Sequence, residues 1–420
     1  MIGIELLSYG KTIYQNLKSQ NFNYVLQQKS NSKNTYDIIH IIKDIIYIPE
    51  YYDKKHNNPV LELAIKPNLG CLSITITEKG YYILPSQKLD VENKNIQHDI
   101  HNWDSMIGLR TPKTVYGLIA SICLIRKNQE LNNFIVFSCD NVLKNGDLCK
   151  HGFIQFLQYV NQDLIAYVHN NIAFPNSMVD SITPNVQKKD IHCFEFEHKI
   201  KDKELVISEP FKQWVIENMT FHHNYKMPNW KLSNQVIITN DVHQYEKIKL
   251  LLLNSLHTFI GLLSFYLYGT KYTTIDQAIN DTKILQLSKD YLNEVKKSLT
   301  SNTDICLDSY IDNTILRFQN KMIKDTIERI LEDTSSKLQM TLQDSIIFFH
   351  QHNIISKQIT FILSLFLYYM NYYDINKMSA KDKQLLKYKD NIYNLLKHII
   401  PIQIIHWKAF MFSIVQLKKK

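Results

Sequence analysis

The spacing of the apolar residues changes character near Asn240, and no other feature of the 420-residue chain restricts its fold as much. Before that point, short apolar runs alternate with stretches of helical spacing. Ile2 to Leu7 is a short apolar run, and Phe22 to Gln27 and Ile38 to Ile48 carry the Ile and Tyr that strands favour. Leu72 to Thr77 alternates apolar and small polar residues and then meets Gly80. Asn133 to Cys139 is a compact apolar run that ends at Asp140-Asn141, as a buried strand entering a loop would. Between these runs, Thr114 to Arg126 and Gly152 to Val168 have the spacing of helices. The succession predicts a parallel sheet covered by helices, with working residues at the carboxyl ends of its strands. From about Asp241 helical periodicity runs to the end, with stops near Gly269 and Thr300-Ser301-Asn302, and Pro401 interrupts a late apolar stretch. The expected class is α/β plus α: a partial parallel-sheet domain over 1–240 and an all-helical domain over 241–420.

Composition removes several alternatives. A hydrophobic share of 45% with 21% charged residues is that of an ordinary globular protein rather than a disordered one. The net charge of +8 is spread along the chain, and the only clear basic run is Lys418 to Lys420. A nucleic-acid surface would gather that charge on one element, so no nucleic-acid partner is expected. The six cysteines form no CxxC pair and match no zinc spacing, which points to reduced thiols in a cytoplasmic protein and to no metal. No secretory signal follows Met1. The best membrane candidate, Ile354 to Met370, is short for a bilayer and contains Lys357 and Gln358, so a buried helix is expected there and no membrane. His222-His223 is an adjacent pair without a third ligand and is given no metal role.

Chemistry concentrates in Tyr245 to His257. On a helix of roughly 100° per residue, Glu246, Lys249, Asn254 and His257 fall within an arc of about 140°. Leu250 and Leu253 share that arc, while Leu251 and Leu252 lie outside it. A lysine, an amide and an imidazole on so apolar a face are costly to bury. Burial weakens a lysine's hold on its proton, so such an amine can accept one from an alcohol. The plainer reading is that Lys249 reaches solvent and His257 is a satisfied core histidine. A second segment, Ser138 to Gly146, places Asn141 at a predicted strand end, where its amide could hold a substrate oxygen. Asp, Asn and Gly also form ordinary turns there. Phe174 to Pro184, bracketed by prolines, reads as an ordered loop or strand.

Taken together these segments resemble the long-chain mannitol dehydrogenase family, which includes mannitol 2-dehydrogenase and fructuronate reductase. The matching strings come in the family's order: Thr75 to Tyr81, Ile96 to Asp99, Ser138 to Asn141 with Asn145-Gly146, and Phe174 to Asp180. Glu209 to Val215, the Lys249/Asn254/His257 helix and Asp333 to Leu338 follow. The resemblance runs from near the first residue to about Tyr372. It implies a Rossmann-like NAD-binding domain, a helical substrate domain, and reversible hydride transfer between NAD and a polyol or sugar acid without a metal. Lys249 is implied as general acid/base, and Asn141 and Asn254 as the amides that grip the reacting oxygen. His257 is implied as an orienting imidazole and Glu246 as a carboxylate on the proton path. Arg329, one of four arginines, and Lys337 are implied as contacts to the far end of the substrate, and Glu78 as a cofactor contact. Lys79 leans toward the sugar-acid branch. The expected partner is a small polyol or sugar acid. The family contains monomers, and no heptad seam argues for a subunit partner.

The chain also departs from the family pattern. No GxG occurs anywhere in it, and Gly3 and Gly10 are the only glycines before Gly70. The family's GxGxF-type loop lets a pyrophosphate approach the backbone at a helix N-terminus. Ile2 to Ser8 is similar to the family's second strand, which implies a sequence that starts after the first strand, loop and helix. Tyr9 and Gly10 stand where the ribose-reading acid would be, and Ser181 where the family has Arg. The alternative to an enzyme is a non-catalytic remnant of the family that cannot bind NAD normally.

Overall fold

The structure, a computed structural model, describes residues 1–52, 58–131, 133–218, 229–299 and 305–400. His222-His223, Thr300 to Asn302, Pro401 and Lys418 to Lys420 lie outside the described residues. The chain divides into two compact units, one of residues 1–28 and 35–243, the other of residues 29–34 and 244–420.

The first unit is α/β. Its strands are β1 (Ile2–Glu5), β2 (Tyr24–Gln28), β3 (Thr35–Ile39), β4 (Asp44–Tyr47), β5 (Cys71–Ile74), β6 (Phe134–Ser138), β7 (Ile172–Ala173), β8 (Ser177–Asp180), β9 (Val206–Ser208), β10 (Gln213–Glu217) and β11 (Val236–Thr239). Among the described residues they form four small sheets, ordered β1-β4, β3-β2-β9, β5-β6-β7 and β11-β10-β8. The β1–β4, β2–β9, β5–β6, β6–β7 and β10–β11 pairs are parallel. Two pairs depart from the all-parallel expectation: β2–β3 and β8–β10 are antiparallel. The stretch from Ile38 to Ile48 is correspondingly not one strand. Its start belongs to β3 and its end to β4, because the chain changes sheet between them.

Every residue of β6 is buried, as a short unbroken apolar run requires. The helix Val115–Asn128 is buried all round from Val115 to Arg126, which explains its apolar character on every face. Thr114 caps it by accepting from the Gly117 amide, and Asp99 holds Thr114 through both its backbone amide and its hydroxyl, each at 2.8 Å. Arg126, at the far end, is fully buried and donates to the carbonyls of Ala64 and Lys66 at 2.8 and 3.0 Å. The helical stretch predicted from Gly152 to Val168 is two helices, Asn145–Val160 and Asp163–Asn171. Extended backbone at Asn161 breaks it, and the Asn161 carbonyl accepts the Leu164 amide at 3.2 Å.

The second unit is helical. Its centre is one 27-residue helical rod, Val242–Tyr268. By length and composition the rod could cross a membrane, yet 72% of its most apolar window is buried inside the protein. It ends at Gly269, whose φ of +58° suits a residue without a side chain. Helices Ile275–Ile279, Thr282–Val295, Ile327–Leu331, Thr334–Gln351 and Lys357–Tyr372 pack on it. The last of these contains the apolar stretch before Met370, and Leu363, Phe366 and Met370 are buried on it.

Candidate functional site

In the α/β unit, the carboxyl ends of the parallel neighbours β5 and β6 carry the polar residues predicted there. The register sets Ile74 beside Ser138, so both strands end level. Asp140, just past β6, accepts from the backbone amides of Ile76 at 3.0 Å and Thr77 at 2.8 Å, and from the Tyr81 hydroxyl at 2.7 Å. These bonds hold Thr77 at φ 62° and ψ 168°, a region that a β-branched residue enters only under constraint. Burial raises the Tyr81 hydroxyl far above its ordinary value, so it stays a donor. Asn145 is fully buried and donates to the carbonyls of Ser138, Asp140 and Ser177 at 3.1, 3.0 and 2.8 Å, and it accepts from the Ser177 amide at 2.9 Å. Gly146 follows because a Cβ there would sit 2.4 Å from the Pro175 carbonyl oxygen. Asn141 and Glu78, one residue beyond these anchors, are both exposed.

In the helical unit, Glu246 and Lys249 lie on the central rod with relative exposures of 5% and 8%. The rod is not a uniform α-helix. Lys249–Asn254 is a π-helical turn, and the Ser255 amide bonds the Leu250 carbonyl five residues back. The even 100° spacing of the sequence reading therefore fails between Lys249 and Asn254. A turn bonded i to i+5 brings residues five apart toward one face, where an α-helix aligns residues three and four apart. Lys249 and Asn254 are five apart, so the π turn draws together two side chains that an α-helix would separate. Asn254 and His257 are both partly buried.

His257 leads to a charged cluster with Asp325 at its centre. Arg329 donates Nε to Asp325 Oδ1 at 2.6 Å and Nη2 to Oδ2, a two-pronged pairing. His257 Nε2 lies 3.2 Å from the same Oδ2 but out of hydrogen-bonding alignment. Burial opposes the Asp325 charge, but His257 and Arg329 outweigh it and hold the carboxyl well below the usual carboxylate range. Burial also lowers the His257 imidazole, with Asp325 opposing, so the ring is biased toward neutrality. Lys337 donates to the carbonyls of Arg329 at 3.2 Å and Ile330 at 2.8 Å. Burial first, then the Arg329 charge, lowers its amine to about 8.

The structure thus joins His257 and Arg329 through Asp325, with Lys337 bonded to the Arg329 carbonyl, and sets Glu246, Lys249 and Asn254 along the rod that carries His257. Asn141 and Glu78 belong to the other unit. Sequence reasoning missed Asp325, although its spacing of four from Arg329 is an i,i+4 pair at a helix start.

Comparison with known proteins places these features. Residues 2–232 match the sequence profile of the mannitol dehydrogenase Rossmann domain, and residues 241–403 that of the mannitol dehydrogenase C-terminal domain. Mannitol 2-dehydrogenase of Aspergillus oryzae is 30% identical over 348 residues, which is 82% of this chain and 66% of that protein. The enzyme of the same name from Neosartorya fischeri is 31% identical over 350 residues, with the same coverage of 82% and 66%. The matched stretch is thus slightly less than two thirds of these relatives' length. Among solved structures, Pseudomonas fluorescens mannitol 2-dehydrogenase, in a ternary complex with NAD and D-mannitol, superposes with a TM-score of 0.84 at 25% identity. That match covers 100% of this chain and 84% of the other. A substrate-free D-sorbitol dehydrogenase gives the same score and identity over 100% and 86%.

Proposed function

Because this chain belongs to the mannitol dehydrogenase family, we propose that it serves NAD-dependent interconversion of a polyol and its keto-sugar, with Lys249 as general acid/base. The observation that carries this reading is the buried Lys249 at the head of a π turn that also holds Asn254 and leads to His257. In oxidation, Lys249 accepts the hydroxyl proton of the polyol; in reduction it returns that proton to the carbonyl oxygen. Asn254 and Asn141 stabilise the negative charge that builds on that oxygen. Glu246, three residues before Lys249 and itself buried, passes the proton onward. His257 and Arg329 meet the remaining hydroxyls, and Lys337 holds the helix end that carries Arg329.

NAD would supply the hydride acceptor. Glu78, exposed just past β5, would contact the bound dinucleotide, since ligands of parallel sheets bind outside the carboxyl ends of strands. The pairing of Arg329 with Asp325 offsets its charge, and this supports a neutral keto-sugar over the sugar acid suggested by Lys79, which sits exposed beside Glu78. A cytoplasmic setting belongs to the same reading, because none of the six cysteines is paired.

The test is NADH consumption by the purified protein with fructose and with fructuronate, and NAD reduction with mannitol. Lys249→Ala should lower kcat by on the order of a hundredfold or more while the fold, checked by circular dichroism, is kept. Turnover that survives this change removes Lys249 from the mechanism. Tyr9 and Gly10, standing where the family's ribose-reading acid would be, favour a second reading, a non-catalytic family member that does not bind NAD normally. Calorimetric titration with NADH separates the two, since only the enzyme requires a heat of cofactor binding.

A further inference from the structure

Two fully or nearly buried carboxylates in the helical unit make quite different contacts. Asp382 accepts the Thr334 and Ser335 amides and the Ser335 hydroxyl, so it anchors a helix start. Among the described residues, the Asp325 carboxylate is bonded only by a side chain, through Arg329 Nε and Nη2, and it faces a second side chain, His257. Its surroundings are therefore those of a group that orients other side chains rather than one that caps backbone.

We infer that Asp325 is a positioning residue: it fixes His257 with the proton on Nε2 and leaves Nδ1 as the acceptor for a substrate hydroxyl. This rests on the reading that His257 and Arg329 meet the polyol. Three observations carry it. First, Nε2 lies 3.2 Å from Oδ2. A lone pair at that distance is repelled by the carboxylate and an N–H is attracted, so the carboxylate selects the tautomer. Second, the two-pronged Arg329 contact stops the carboxylate from turning, and the Phe318 ring, stacked at 4.5 Å and 28° on the imidazole, restrains the ring plane. Third, Nδ1 makes no hydrogen bond to any described residue, and the His257 side chain keeps 12% exposure. Burial biases the ring toward neutrality, which keeps one nitrogen able to accept. One carboxylate thereby sets both the imidazole and the guanidinium, and the substrate meets them already oriented.

The full chain labelled with 15N-histidine gives the tautomer directly by NMR, with the His257 signal assigned by its loss in His257→Gln. Neutral His257 protonated on Nε2 near neutral pH is expected. Asp325→Asn should shift His257 toward a mixture of tautomers, because a carboxamide can present either an acceptor or a donor. A ring protonated on Nδ1 in the wild-type protein overturns the inference. So does an unchanged His257 spectrum in Asp325→Asn. Should that variant fail to fold, the wild-type tautomer decides alone. In kinetics, Asp325→Asn should raise KM for the keto-sugar roughly tenfold while kcat changes by less than about threefold; an unchanged KM counts against the assignment. A wild-type protein that turns over neither polyol nor keto-sugar sinks the proposed function, and the NMR result still stands on its own.

Discussion

Replacing Lys337 by Met should change how stability depends on pH, in a direction fixed by the structure. The Lys337 amine is lowered from 10.5 to about 8, by burial first and then by the Arg329 charge. That interval corresponds to about 3 kcal/mol of preference for the neutral form in the folded protein. The sign follows from proton counts. Between about pH 8 and 10.5 the unfolded chain holds a proton that the folded protein has released, so stability rises with pH there. Below about 8 both states are protonated and the folded protein bears the full cost of the buried charge. From about pH 7 to about pH 9.5 the wild-type protein should therefore gain about 2 kcal/mol relative to Lys337→Met. The variant also loses the bonds to the Arg329 and Ile330 carbonyls, a roughly constant cost of about 1–3 kcal/mol that does not vary with pH. Urea denaturation of both proteins at the two pH values, followed by circular dichroism, gives the difference of differences. Titration of tyrosines and cysteines cancels in that comparison. A stability gap between the two proteins that is the same at both pH values within about 0.5 kcal/mol would refute the reasoning.

Two further predictions concern the α/β unit. Arg126→Met keeps the volume but strips the donors from the buried Ala64 and Lys66 carbonyls, so it should cost about 2–4 kcal/mol in urea titration; an unchanged midpoint would show that those carbonyls find other partners. Asn145→Ala abandons three buried carbonyls and the Ser177 amide and should cost about 3 kcal/mol or more, whereas a loss under about 1 kcal/mol would mean that water replaces the amide.

What could be read from the sequence was whatever periodicity encodes. Thr114 to Arg126 and Asn133 to Cys139 were legible because full burial leaves a helix or strand apolar on every side. Ile38 to Ile48 misled because both strands it touches are Ile-rich, and composition does not mark the point where a chain changes sheet. The site was legible in part. Lys249, Asn254 and His257 stand out against leucines, but nothing in four consecutive leucines reveals that the backbone between them winds as a π turn. Asp140 and Asn145 read as turn formers, and each proves to be a hub for backbone groups far away in sequence. Asp325 offers the sequence reader no more than its spacing of four from Arg329. Its role comes from the 3.2 Å approach to an imidazole 68 positions earlier in the chain, which spacing cannot encode.

The short excursion of residues 29–34 has a practical consequence for anyone who would cut this protein apart. The polypeptide enters the helical unit after β2, leaves it before β3, and enters again after His243, so the two units are sewn together by three covalent crossings. Within the helical unit, the Lys29 carbonyl takes the Asn320 amide at 2.9 Å, and Asn31 both donates to the Gln319 carbonyl and accepts from the Lys321 amide. A fragment begun at residue 244 would leave the turn after helix Leu307–Phe318 without its partners. The smallest faithful excision of the helical half has to carry the hexapeptide of residues 29–34.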